Sequence, residues 1–164
     1  IEDRIREHAA ETIAWFKENG VEIKIISGDN PLTVSEVSKR VGVENAGNYI
    51  SLEGLSEQQV IDAATKYSVF GRVSPEQKCI LVKALKSKGH RVAMTGDGVN
   101  DILALKEADC SVAMASGTDA AKNVSQLVLL DSNFSSSLTS KSSSMPVKAK
   151  GWQSGIIEDV FLTA

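Results

Sequence analysis

Apolar and polar positions along residues 1–134 alternate between helical and strand-like rhythms. Residues 4–19 place Ile5, Ala9, Thr12, Ile13 and Phe16 at three- and four-residue spacing, which predicts an amphipathic helix. Asn19-Gly20 ends it, and residues 21–26 are read as a strand. A second helix is predicted over 31–41, with Asp29 or Asn30 as N-cap and Pro31 at the first helical position. Helices over 56–67, 74–88, 99–107 and 118–125 follow, the first capped by Ser56. The segment Ser74-Pro75-Glu76-Gln77 carries a cap, a first-turn proline and a glutamine able to reach back, the pattern of a capping box. Strands are predicted over 69–71, 91–95, 110–113 and 127–130, and 49–52 fits a short strand.

Strands alternating with helices require crossover connections, hence a parallel sheet covered on both faces in three αβα layers. The continuous apolar runs at 25–26 and 127–130 suit strands buried on both sides. Ligands of such folds bind at the carboxyl ends of the strands. The loops at 27–30, 71–78, 96–101 and 114–119 are therefore where chemistry is expected.

Charge and composition narrow the class. The 164 residues carry 18 Lys+Arg against 21 Asp+Glu, a net charge of −3, which weighs against a nucleic-acid partner. No apolar run approaches the roughly 18 residues of a membrane span, so this chain is expected to make no membrane contact of its own. Cys79 and Cys110 form no CxxC or zinc pattern and are expected as reduced, buried thiols; His8 and His90 are isolated. From Ser135 the composition shifts. Residues 135–144 hold seven serines, and 135–164 is expected to be a flexible, non-native tail without a function of its own.

Three loops carry candidate chemistry. In Thr95-Gly96-Asp97-Gly98-Val99-Asn100-Asp101 a predicted strand turns into a helix through two glycines. Asp97 and Asp101 lie four apart, where like charges repel by ~0.2–0.5 kcal/mol unless a cation intervenes. Two carboxylates and the Asn100 amide are hard oxygen donors of the kind Mg²⁺ prefers. The bland alternative is a cap and a solvated first-turn carboxylate. Ser27-Gly28-Asp29-Asn30 offers a hydroxyl and backbone N–H groups at a helix start, an anion site or simply a capped turn. Lys78 lies in the first turn of a helix, where the dipole disfavours a cation by ~0.3–1 kcal/mol. It either meets phosphate charge or is a solvated surface lysine. Taken together the loops read as a Mg²⁺–phosphate site. There is no GxxxxGK[ST] and no GxSxG.

The segments Ser27-Gly28-Asp29, Lys78 and Thr95–Asp101 resemble the later motifs of the haloacid-dehalogenase-like superfamily. Gly96-Asp97-Gly98-Val99-Asn100-Asp101 with Ala104-Leu105-Lys106-Glu107-Ala108-Asp109 is similar to cation-transporting P-type ATPases. So are Gly117-Thr118-Asp119-Ala120-Ala121-Lys122, Leu129-Leu130-Asp131-Ser132-Asn133-Phe134 and the opening Glu2-Asp3-Arg4-Ile5-Arg6. The resemblance covers about residues 1–135. It implies a Rossmann-like phosphorylation domain over 1–134, incomplete because the strand bearing the acceptor aspartate is absent.

The resemblance also implies roles. Asp97 would bind Mg²⁺ and Asp101 would complete or orient that shell. Ser27, Gly28 and Asp29, with Asn100, would surround the phosphoryl group, and Lys78 would offset its charge during transfer from ATP. The family's acceptor motif, Asp-Lys-Thr-Gly-Thr, does not occur in this sequence. The chain is therefore expected to be a piece of a pump, inactive alone, with nucleotide, actuator and transmembrane domains of the same polypeptide as its partners. It would belong to the cytoplasmic part of a membrane protein. Two other readings stand beside this one: a free-standing phosphatase of the same superfamily, for which Asp3 is a poor acceptor, and a non-catalytic phosphate- and Mg²⁺-binding module.

Overall fold

The computed structural model describes residues 9–96, 98–114, 117–129 and 156–159. Among the described residues six α-helices and seven strands follow one another. They are α1 (Ala9–Glu18), β1 (Glu22–Ile26), α2 (Pro31–Arg40), β2 (Tyr49–Ser51), α3 (Glu57–Ala63), β3 (Val69–Gly71), α4 (Pro75–Ser87) and β4 (Arg91–Gly96). After a 3-10 turn (Val99–Asp101) come α5 (Ile102–Glu107), β5 (Cys110–Met114), α6 (Asp119–Val124), β6 (Leu127–Leu129) and β7 (Ile156–Asp159).

The expected starts and stops are explained by local chemistry. Ser74 Oγ accepts from the Gln77 N–H at 3.2 Å, and Gln77 Oε1 accepts from the Ser74 N–H at 3.0 Å, closing the capping box of α4. Ser56 and Gln59 form the same box on α3. Asn30, the N-cap of α2, accepts from Leu32 N–H ahead of a proline-led first turn. Helix α3 is shorter than its apolar pattern predicts, ending at Ala63. The predicted helix over 99–107 begins as a 3-10 turn.

All pairings in the sheet are parallel, in the order β2-β3-β1-β7-β4-β5-β6. One face carries the larger core, where Ile26, Phe70, Val92 and Met94 pack with Leu81, Val82 and Leu85 of α4 and Ala104 and Leu105 of α5. On the other face Ile23, Ile25 and Val69 pack with Ile13 and Phe16 of α1 and Val34 of α2. The sheet is thus covered by helices on both sides. Neither cysteine is in a disulfide; Cys110 is buried and Cys79 half-buried, so only one of the two is as deep as expected.

Two features depart from the pattern reading. Lys24, inside the apolar run of β1, is fully buried; its Nζ donates to the Tyr67 carbonyl at 2.7 Å and pairs with Glu22. Residues 156–159, which show no strand periodicity, form β7 and join β1 to β4. Among the described residues no helix is long and apolar enough to cross a membrane.

Candidate functional site

From β1 the chain goes to the edge strand β2 and back to β3 on one side of β7, and from β4 it runs outward through β5 and β6 on the other, so the order of the sheet reverses there. The carboxyl ends of β1 and β4 flank that switch point, where open α/β sheets bind ligands.

After β1 the chain turns at Ser27-Gly28-Asp29. The Ser27 side chain is buried, and its Oγ accepts from the Asp29 N–H at 3.1 Å. The neighbouring β3 loop is stitched to this turn: Arg72 N–H donates to the Asp29 carbonyl at 2.9 Å and Val73 N–H to the Ser27 carbonyl at 3.1 Å. Arg72 holds a left-handed backbone, φ 51°, to do so. Gly71 is needed for the same close approach, since a Cβ there would lie 2.5 Å from three atoms of Pro31. Gly28 and Asp29 face solvent, and a Cβ on Gly28 would meet nothing within 4 Å.

Lys78 enters from the first turn of α4. Its Nζ donates to Asp101 Oδ1 at 2.7 Å, with the two residues only 8% and 2% exposed. Asp101 Oδ2 accepts from the Gly98 N–H at 3.1 Å, and the Asp101 N–H donates back to the Gly98 carbonyl. The Asp101 carboxyl is thus fixed in place by an ammonium on one oxygen and a backbone N–H on the other. Gly96 makes room for it, because a Cβ at Gly96 would sit 2.7 Å from Asp101 Cβ.

The burial settles two alternatives left by the sequence: Lys78 is not a solvated surface lysine, and Asp101 is not a solvated first-turn carboxylate. It also reveals a link that the sequence does not show. Lys78 and Asp101 engage each other across 23 positions. Asn100 is exposed on the 3-10 turn beside them. Asp97 lies outside the described residues. Among the described residues no group of three or more His, Cys, Asp or Glu is placed to hold a metal ion.

The pattern of haloacid dehalogenase-like hydrolases matches residues 1–109, a stretch that contains the Ser27 turn, Lys78 and the β4 loop. The chain belongs to the haloacid dehalogenase-like hydrolase family. Within that family it is 48% identical over 132 residues to a probable cation-transporting ATPase, exp7, of Streptococcus pneumoniae serotype 4. It is 45% identical over 134 residues to the calcium-transporting ATPase CtpE of Mycobacterium bovis. These alignments take in 80% and 82% of this chain but 17% of each relative, so the chain spans about a sixth of their length. Among solved structures it resembles the catalytic domain of the CPx-ATPase CopB-B, with a TM-score of 0.65 and 31% identity over 84% of this chain and 45% of that one. A zinc-transporting PIB-type ATPase in its E2.Pi state gives a TM-score of 0.57 and 29% identity over 75% of this chain and 16% of that one. The mixed α/β, parallel-sheet haloacid dehalogenase-like fold expected from the sequence is the fold found.

Proposed function

We propose that this chain is a piece of an ATP-driven cation pump and supplies the phosphoryl-binding half of its phosphorylation site. An aspartate that this sequence does not contain is phosphorylated by ATP and then hydrolysed. Residues 1–134 carry this half-site, and 135–164 follow as a tail that lends the sheet its strand 156–159. The observation that carries the reading is the buried Lys78–Asp101 pair, anchored by Gly96 and Gly98 at the sheet's switch point and joined through the β3 loop to the Ser27 turn.

In this reading Ser27 Oγ and the Gly28 N–H hold phosphoryl oxygens. The Lys78 ammonium, aimed by Asp101, offsets negative charge as the phosphoryl moves. Because Asp101 fixes the lysine before any ligand arrives, little reorganisation is needed during reaction, the condition for electrostatic stabilisation of a transition state. The donor set suits Mg²⁺, since Asp97, Asp101 and Asn100 offer hard oxygens. Asp97 would be the direct ligand, and Asp101, with one oxygen on Lys78 and the other on Gly98, would orient the shell. Bound there, Mg²⁺ would neutralise charge on the transferred group.

The test is site-resolved. Backbone amide NMR of the purified chain is followed during titration with inorganic phosphate, with and without Mg²⁺. The expected result is saturable, Mg²⁺-enhanced shifts at Ser27, Gly28, Gly98 and Asn100. Shifts confined to other residues, or none at high phosphate, would overturn the reading.

A further inference from the structure

Among the described residues the sheet is two three-stranded halves, β2-β3-β1 and β4-β5-β6, bridged by β7. Residue Ile157 is level with Glu22 on one side and Val92 on the other, and Asp159 with Lys24 and Met94. Beyond this level β1 runs on to Ile26 and β4 to Gly96. The slot held by β7 thus leads to the two loops that bear Ser27 and Asp101.

We propose that residues 156–159 are a displaceable occupant of this slot, and that they compete with the aspartate-bearing strand for it. The proposal rests on the phosphorylation-site reading and adds its regulation. A carboxylate that must lie between the β1 and β4 loops has to arrive on a strand between β1 and β4, and the tail holds that position. The tail cannot serve in its place, because the sequence after Asp159 is Val160-Phe161-Leu162-Thr163-Ala164, without a carboxylate.

The occupant's features suit exchange. Four residues make a short strand held by ladder hydrogen bonds, and a longer strand ending beyond Ile26 and Gly96 forms more of them. The occupant is within reach of its own chain. From β6 to β7 is three strand spacings, about 14 Å, and residues 130–155 can span several times that at ~3.3 Å each. An emptied slot would leave two facing rows of backbone donors and acceptors, the surface that captures an added strand.

The test uses the full chain, the variant Ile157→Pro and a chain ending after Asn133. Proline within a central strand removes a ladder bond, so Ile157→Pro weakens the occupant. The probe is a fluorescein-labelled peptide, Ile-Val-Ile-Val-Phe-Asp-Lys-Thr-Gly-Thr, with an analogue carrying Asn in place of Asp. In the full chain, the amides of residues 24 and 93 should be protected from hydrogen exchange, since the neighbouring Ile25 and Val92 N–H groups donate away from β7, to the Ser68 carbonyl and Asp109 Oδ2. Ile157→Pro should lose at least tenfold of that protection, bind the peptide at least tenfold more tightly, and regain protection with it. The same affinity in both chains, or exchange unchanged by peptide, overturns the proposal. So does loss of folding in both altered chains, since an indispensable strand is not a displaceable one. The Asn analogue separates the two readings. If only the slot is right, both peptides bind alike with or without Mg²⁺; if the phosphorylation site is right too, Mg²⁺ tightens only the Asp peptide. If the slot is wrong and the site right, the phosphate shifts persist without peptide binding.

Discussion

Replacing Lys78 by methionine removes one half of a buried ion pair and leaves the volume nearly unchanged. At 2.7 Å the gross attraction is roughly 6 kcal/mol for an effective dielectric constant of about 20. Desolvating two ions offsets most of it while both are present. With Lys78 gone that offset fails, because Asp101, 2% exposed, keeps its charge out of water and retains the Gly98 N–H at 3.1 Å. The expected loss is about 3–5 kcal/mol, a large share of a normal domain stability of ~5–15 kcal/mol. For a chain of this size it lowers Tm by roughly 10 °C. Urea unfolding of wild type, Lys78→Met, Asp101→Asn and the double variant measures it. The double variant should recover most of the loss, since asparagine keeps an acceptor for Gly98 and removes the stranded charge. The coupling should persist in about 0.5 M NaCl, because buried pairs are weakly screened. A Lys78→Met variant within about 1 kcal/mol of wild type would refute the reasoning, as would a loss that vanishes in salt.

The surrounding packing makes further predictions. Gly96→Ala should cost about 1–3 kcal/mol, read by thermal unfolding, and should abolish phosphate shifts, because its Cβ would press on Asp101. Gly71→Ala should cost a similar amount by driving β3 and α2 apart at Pro31. Ser74→Ala should lose about 1 kcal/mol in urea, from the broken capping box of α4. The Lys39 ammonium, 2.8 Å from Glu36, holds that carboxyl below its ordinary range through a hydrogen bond and charge. Any stability from this pair is present above the ordinary carboxylate range and lost as pH falls through the lowered value. Lys39→Met should move the Glu36 titration back up in carboxyl NMR.

How much was legible in the sequence follows from which interactions are local. The ends of α2 and α4 could be read because Asn30, Pro31, Ser74, Pro75 and Gln77 act within one turn. The turns after β1 and β4 could be read because a glycine-bearing turn at the end of a strand has few structural solutions. The Lys78–Asp101 pairing was hidden: both residues stood out, but their separation of 23 positions has no periodic signature. The burial of Lys24 was hidden because, besides Glu22 on its own strand, it is met by a backbone carbonyl 43 residues away. The strand at 156–159 was hidden for the same reason in stronger form. Its four residues form a strand because β1 and β4 offer ladders on both sides, which is a property of the sheet and not of the segment.

The central claim is that this chain receives and stabilises a phosphoryl group borne by an aspartate it does not itself contain. Acid-quenched labelling with γ-labelled ATP and Mg²⁺ tests it most directly, comparing this chain with the polypeptide extended to include the Asp-Lys-Thr-Gly-Thr segment. The account predicts no label on this chain. The extended polypeptide should give an acid-stable, hydroxylamine-sensitive label whose rate of formation falls at least a hundredfold in Lys78→Met. Label on this chain alone, or unchanged labelling of the extended Lys78→Met variant, would contradict it.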